Sequence, residues 1–157
     1  AVRLLLRAAA DVLAVDNGSH GPLHSAFHAG EVEEGALALV IQVLVEAKAE
    51  VNGVCKDHRV SPLLQACART GHRVISMMLD MKCEIRNPAL MATPLHALAV
   101  RPGDAVEACR AILAATADPN QLGLSGSDDL AIPEQQVLKR RAFHGSAALH
   151  LAAHEGC

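Results

Sequence analysis

The chain has 157 residues, 51% of them hydrophobic and 20% charged, with a net charge of −3. That balance suits a folded domain and excludes a disordered tail. Phe27 and Phe143 are its only aromatic residues and it has no long basic run, which counts against nucleic acid, where cationic charge and stacking rings are needed.

Ala1 to Ala8 reads as a helix, with Val2, Leu5 and Leu6 at helical spacing; Arg3, Arg7 and Asp11 interrupt it too often for a signal sequence. Asp16-Asn17-Gly18-Ser19 is a turn cluster. Pro22 to Ala29 predicts a helix stopped by Gly30, with a loop from Glu31 to Gly35 and a second helix from Ala36 to Ala47. Phe27 is expected to cover space opened by that loop. The second helix is apolar at Leu37, Val40, Ile41, Leu44 and Val45. The longest clean apolar run, Gly35 to Ile41, falls far below the ~20 residues of a membrane span.

Gly53 to Val60 reads as a hairpin. Pro62 to Arg69 is the next helix, ended by Gly71-His72, and Val74 to Met81 its partner, with Met77, Met78 and Leu79 expected in the core. Arg86 to Ala92 is a short turn, Pro94 to Val100 a helix, Pro102-Gly103 a break and Ala105 to Ala115 a helix. The pattern fails from Gln121 to Arg141, where a short helix over Pro133 to Arg141 is expected inside a loop. Phe143 to Ser146 restores the hairpin and Ala148 to His154 the helix.

Thr93-Pro94-Leu95-His96-Ala97-Leu98-Ala99 is a start unit that recurs as Gly21-Pro22-Leu23-His24, Ser61-Pro62-Leu63-Leu64 and Ala147-Ala148-Leu149-His150. The successive steps, Gly21 to Ser61, Ser61 to Thr93 and Thr93 to Ala147, are 40, 32 and 54 residues. Each copy is followed by an apolar run and an acidic tail such as Ala49-Glu50-Val51-Asn52, Cys83-Glu84-Ile85 or Ala117-Asp118-Pro119-Asn120, as is Ala10-Asp11-Val12 before the first copy. Ser61 and Thr93 can accept hydrogen bonds from the free N–H groups of a helix start, and Pro62 and Pro94 suit its first position. These units and tails resemble the ankyrin repeat, whose period is about 33 residues.

The resemblance implies an all-α solenoid of stacked helix-turn-helix pairs joined by hairpin fingers. A partial repeat at 1–20 precedes repeats near 21–60, 61–92 and 93–146, the last with an insertion at about 121–141, and a partial repeat at 147–157 follows. The chain thus reads as a piece of a longer array, and it has no initiator methionine. The resemblance also implies that the start-unit histidine hydrogen-bonds the backbone of a neighbouring turn. Leu64 stands in its place in the second copy.

Other chemistry is thinly represented. His24 with His28, and His150 with His154, share helix faces at i, i+4, but Ser25 and Leu151 replace the glutamate that a zinc-protease helix needs. Ser125 and Ser127 do not form a nucleophile elbow, and no phosphate-binding glycine loop occurs. Lys139-Arg140-Arg141 reads as a solvated helix end, the alternative being part of an acidic-partner contact or a targeting signal. Cys55, Cys67, Cys83, Cys109 and Cys157 are scattered with no C-x-x-C, as expected of reduced thiols in a cytoplasmic or nuclear protein.

The expectation is therefore a non-catalytic interaction module or scaffold, with no cofactor, metal or small-molecule substrate. Its partner would be another protein, not nucleic acid or a membrane. By the resemblance, its binding face would be the concave surface, where Asn17, His20, His28, Asp57, His58, Arg69, Arg101 and His154 match exposed positions. The alternative is a regulatory or targeting array of a larger enzyme or channel.

Overall fold

The computed structural model describes residues 1–28, 33–56, 59–87, 92–101 and 105–115, together with 148, 149 and 153. Residues 148, 149 and 153 are helical. The expected excursion at 121–141 and the start unit at Ala147 lie outside the described residues.

Among residues 1–115 the described helices are α1 (Val2–Arg7), α2 (Pro22–His28), α3 (Glu34–Glu46), α4 (Pro62–Arg69), α5 (His72–Asp80), α6 (Pro94–Ala99) and α7 (Val106–Ala114). No strand occurs among the described residues. Helix α2 packs on α3, α4 on α5 and α6 on α7, so each start unit opens a helical pair. The pairs stack into an inner row, α2–α4–α6, and an outer row, α1–α3–α5–α7. This is an all-α solenoid in which each pair rests on its neighbours.

The core runs continuously between the rows. Leu23, Leu63 and Leu95 of the start units are buried, with Ile41, Val74, Ile75, Met78 and Ile112 from the outer row. Removing each such side chain from water contributes about 1.5–3 kcal/mol. Phe27 belongs to this core; of the loop it was expected to cover, 31–35, residues 31 and 32 lie outside the described residues, and Glu34 and Gly35 already belong to α3. Met77 and Leu79, expected in the core, are only half-buried, because α5 turns Val74, Ile75 and Met78 inward. Helix α1 buries none of its residues, and Leu4 and Leu5 are 67% and 60% exposed.

Two helices begin earlier than their apolar patterns suggest. Helix α3 starts at Glu34 instead of Ala36, its acidic first turn complementing the positive helix end. Helix α5 starts at His72 instead of Val74, because Gly71 takes an extended cap conformation that launches it directly. A Cβ on Gly71 would lie 2.6 Å from Glu34 Oε1. The bare glycine thus leaves room for the Glu34 carboxylate at the start of α5, which has no side-chain cap of its own. A negative group there is favourable.

The outer helices end alike. After α1, α3 and α5 the residue that follows the C-cap is left-handed: Ala9, Lys48 and Lys82, with φ of 61°, 70° and 59°. After α3, Lys48 N–H donates to Val45 O at 2.9 Å and Ala49 N–H to Leu44 O at 2.9 Å, the paired bonds of a Schellman end. Ala9 and Ala10 repeat the pair on Leu6 and Leu5. Glycine usually fills this position because other residues crowd their own Cβ there. Lys48→Gly and Lys82→Gly should each stabilise the protein by about 0.5–1 kcal/mol, the left-handed penalty of ~1–2 kcal/mol less glycine's extra chain entropy. Urea unfolding midpoints check this, with Lys48→Val expected to move the opposite way.

Candidate protein-binding face

The start units place the inner row. Ser61 Oγ accepts from Leu64 N–H at 3.3 Å, and Thr93 Oγ1 from His96 N–H at 3.4 Å. His96 answers the second bond, its Nδ1 accepting from Thr93 N–H at 3.3 Å and lying 2.6 Å from Thr93 Oγ1. At the first copy, His24 Nδ1 accepts from Gly21 N–H at 3.2 Å while Nε2 donates to Val60 O at 3.1 Å. That donation crosses to the next repeat, the backbone bond that the resemblance implies. In the second copy the buried, apolar Leu64 cannot make it.

With both ring nitrogens engaged by backbone, His24 is not open to a metal, so its i, i+4 pairing with His28 has a structural origin. Among the described residues no cluster of three or more His, Cys, Asp or Glu is arranged to hold a metal ion. Burial holds His24 below its ordinary value of 6.5, and the neighbouring charges of His20 and His28 push the same way, against the Val60 bond. His20 stands 5.8 Å from the His24 ring and 5.9 Å from the His28 ring, centroid to centroid.

The first finger turns on Asp16. Its Oδ1 accepts from Gly18 N–H at 2.9 Å and His20 N–H at 2.8 Å, and both carboxylate oxygens lie 3.1 Å from His20 Nδ1. The His20 amide, ahead of its imidazole, holds the Asp16 carboxyl below the usual carboxylate value. In the second finger, Cys55 N–H donates to Val60 O and Arg59 N–H to Cys55 O. The fingers are tied together by Lys56 N–H donating to Gly18 O at 2.9 Å.

Asn17 is exposed at the tip of the first finger, and His28 and Arg69 are exposed at the ends of α2 and α4. His28 Nε2 lies 2.9 Å from the Gln65 amide nitrogen of the next inner helix. His20 and Arg101, expected to be open, are half-buried. His20 is drawn in by Asp16, and the Arg101 guanidinium donates to the carbonyl of Thr70, the C-cap of α4. Asp57, His58 and His154 lie outside the described residues. Sequence reasoning missed Lys56, Arg59 and Arg86, exposed on the fingers, and buried Gln65. The finger charges could have been found from their place between an acidic tail and the next start unit.

Cys55, Cys67 and Cys83 are buried and Cys109 half-buried, all as free thiols. Burial pushes the thiols of Cys67 and Cys109 up and that of Cys83 up to about 11, so they stay protonated at neutral pH.

An ankyrin-repeat family model matches residues 92–123. No curated protein matches the chain. With start units that cap and stack as described, the chain is an ankyrin-repeat protein, and so in general terms a protein-interaction module. None of its described helices is long and apolar enough to cross a membrane.

The depressed His24 value has a consequence for stability. Neutral imidazole is the folded form, so its contribution is complete above pH 6.5 and is lost as pH falls below that value. The urea midpoint should therefore drop between about pH 7 and about pH 5. His24→Leu, which copies Leu64, should flatten that slope. An unchanged slope would assign the loss to another group.

Proposed function

We propose that the chain is a scaffold that binds another protein through the solvent side of its inner row and fingers, and that it does so without catalysis or a cofactor. The observation that carries this reading is the division of labour along the inner helices. Leu23, Leu63 and Leu95 are buried toward the outer row, while Ser25, His28 and Arg69 remain exposed along adjacent helices. Residues on such a face can change without disturbing the core, which suits recognition. Within this reading Asn17, His20, His28, Arg69 and Arg101 are contact residues, joined by Asp57, His58 and His154 from the sequence pattern. The free thiols support a reducing setting, cytoplasmic or nuclear.

A photo-crosslinking amino acid at Asn17, His28 or Arg69 tests the proposal in cells expressing the protein. Discrete protein adducts are expected from these three positions and not from Glu46, Arg73 or Arg110 of the outer row. Adducts from the outer row alone would contradict it.

A further inference from the structure

Three histidines meet where the first finger joins the stack. His20 is carried by the finger, and His24 and His28 by α2. The His20 ring lies 5.8 Å from that of His24 and 5.9 Å from that of His28. Their hydrogen bonds differ. His20 Nδ1 meets the Asp16 carboxylate at 3.1 Å, which suits a charged ring. The Gln65 amide beside His28 Nε2 can present its nitrogen or its oxygen, so this contact tolerates either state of the ring. His24 has no such freedom. Its Nδ1 accepts from Gly21 N–H at 3.2 Å while its Nε2 donates to Val60 O at 3.1 Å. A proton on Nδ1 would set donor against donor at the last residue of the finger.

The other start units are built differently. Leu64 has no proton to gain. Thr93 Oγ1 lies 2.6 Å from His96 Nδ1 and offers a charged ring an acceptor of its own. Gly21 has no side chain to do this, and His150 lies outside the described residues. Sensitivity to acid is therefore concentrated at His24 among the described start units.

The finger's own bonds outlast such a proton. Asp16 Oδ1 accepts from Gly18 N–H and His20 N–H, and the His20 amide keeps its carboxyl below the usual carboxylate value. Lys56 N–H ties the finger to its neighbour through Gly18 O at 2.9 Å, but on the other side α1 buries none of its residues. Swinging the finger outward carries one histidine away from the other two. The carboxylates around the cluster are engaged elsewhere: Glu34 and Glu46 of α3 with Gly71 and Gln42 Nε2, Glu50 with Asn52 N–H and Asp11 with Leu13 N–H. Arg69 of α4 and Lys56 and Arg59 of the second finger are cationic. Asp57 and His58 lie outside the described residues. Burial holds His24 below 6.5, helped by the charges of His20 and His28 and opposed by the Val60 and Gly53 carbonyls.

We propose that the first finger, Asp16 to Gly21, is an acid-released latch: closed on the stack at neutral pH, it swings away in mildly acidic solution while the repeats from α4 onward stay packed. One proton is taken up at His24 Nδ1, and the Gly21 N–H and Lys56 N–H bonds are exchanged for bonds to water. The released ring titrates near its ordinary value of 6.5, so the ratio of released to closed finger rises up to about tenfold for each pH unit below it.

Amide hydrogen exchange of the whole chain, read residue by residue by NMR and corrected for intrinsic rates, tests the latch. By about pH 5, Lys56 should exchange as a free peptide does, while Leu64 to Cys67 stay protected. Gly21→Thr copies Thr93, and a Cβ there meets His24 Nδ1 and Val15 Cγ1 at 4.0 Å, an ordinary contact. It should lower the pH at which Lys56 loses protection by about one unit. His20→Gln, which takes the charge off the finger, should lower that pH too. His24→Leu should make the protection of Lys56 independent of pH. Loss of protection by Lys56 and Leu64 at one pH would mean that the whole stack opens, and would overturn the latch. So would a Lys56 that stays protected to about pH 5, or a pH of release that neither Gly21→Thr nor His24→Leu moves.

Discussion

The structure depends on hydrogen bonds made from one repeat to the next. An inner helix of six to eight residues is too short to persist alone, and its buried polar groups need partners. His24 supplies one at Val60 O, 36 residues away, and Arg101 another at Thr70 O, 31 residues away. Glu84 N–H finds Asn52 Oδ1 at 2.8 Å, and His28 meets Gln65. All are nearest-neighbour contacts, so the stability of the stack is built locally and shared along its length. The apolar core provides most of the driving force; these bonds fix the register in which it is buried.

Much of this was legible because the start units combine independent local signals. Ser61-Pro62 and Thr93-Pro94 each place a hydroxyl cap before a proline, and α4 runs over the Pro62–Arg69 span that its pattern predicts. What stayed hidden was tertiary. A left-handed residue announces itself only when it is glycine, and here Ala9, Lys48 and Lys82 occupy those positions. The early start of α5 depends on Gly71 and on a carboxylate from α3, which α5's own sequence does not reveal. The site was half legible for the same reason. His28 and Arg69 are exposed as their positions suggest, whereas His20 and Arg101 are drawn inward by Asp16 and by the Thr70 carbonyl.

The architecture separates what holds the molecule together from what it presents. The start-unit leucines and the outer row supply the buried area, leaving the tips of the fingers and one side of the inner helices exposed.

Native-state hydrogen exchange in low urea tests the nearest-neighbour stack most directly. The account predicts graded protection: highest for the amides of Leu64 to Cys67 and Val74 to Met78, which have neighbours on both sides, lower in α2, and lowest in α1, which buries none of its residues. His24→Leu should lower protection of α2 more than that of α6. A single opening free energy shared by all helices, unmoved in its distribution by His24→Leu, would contradict the account.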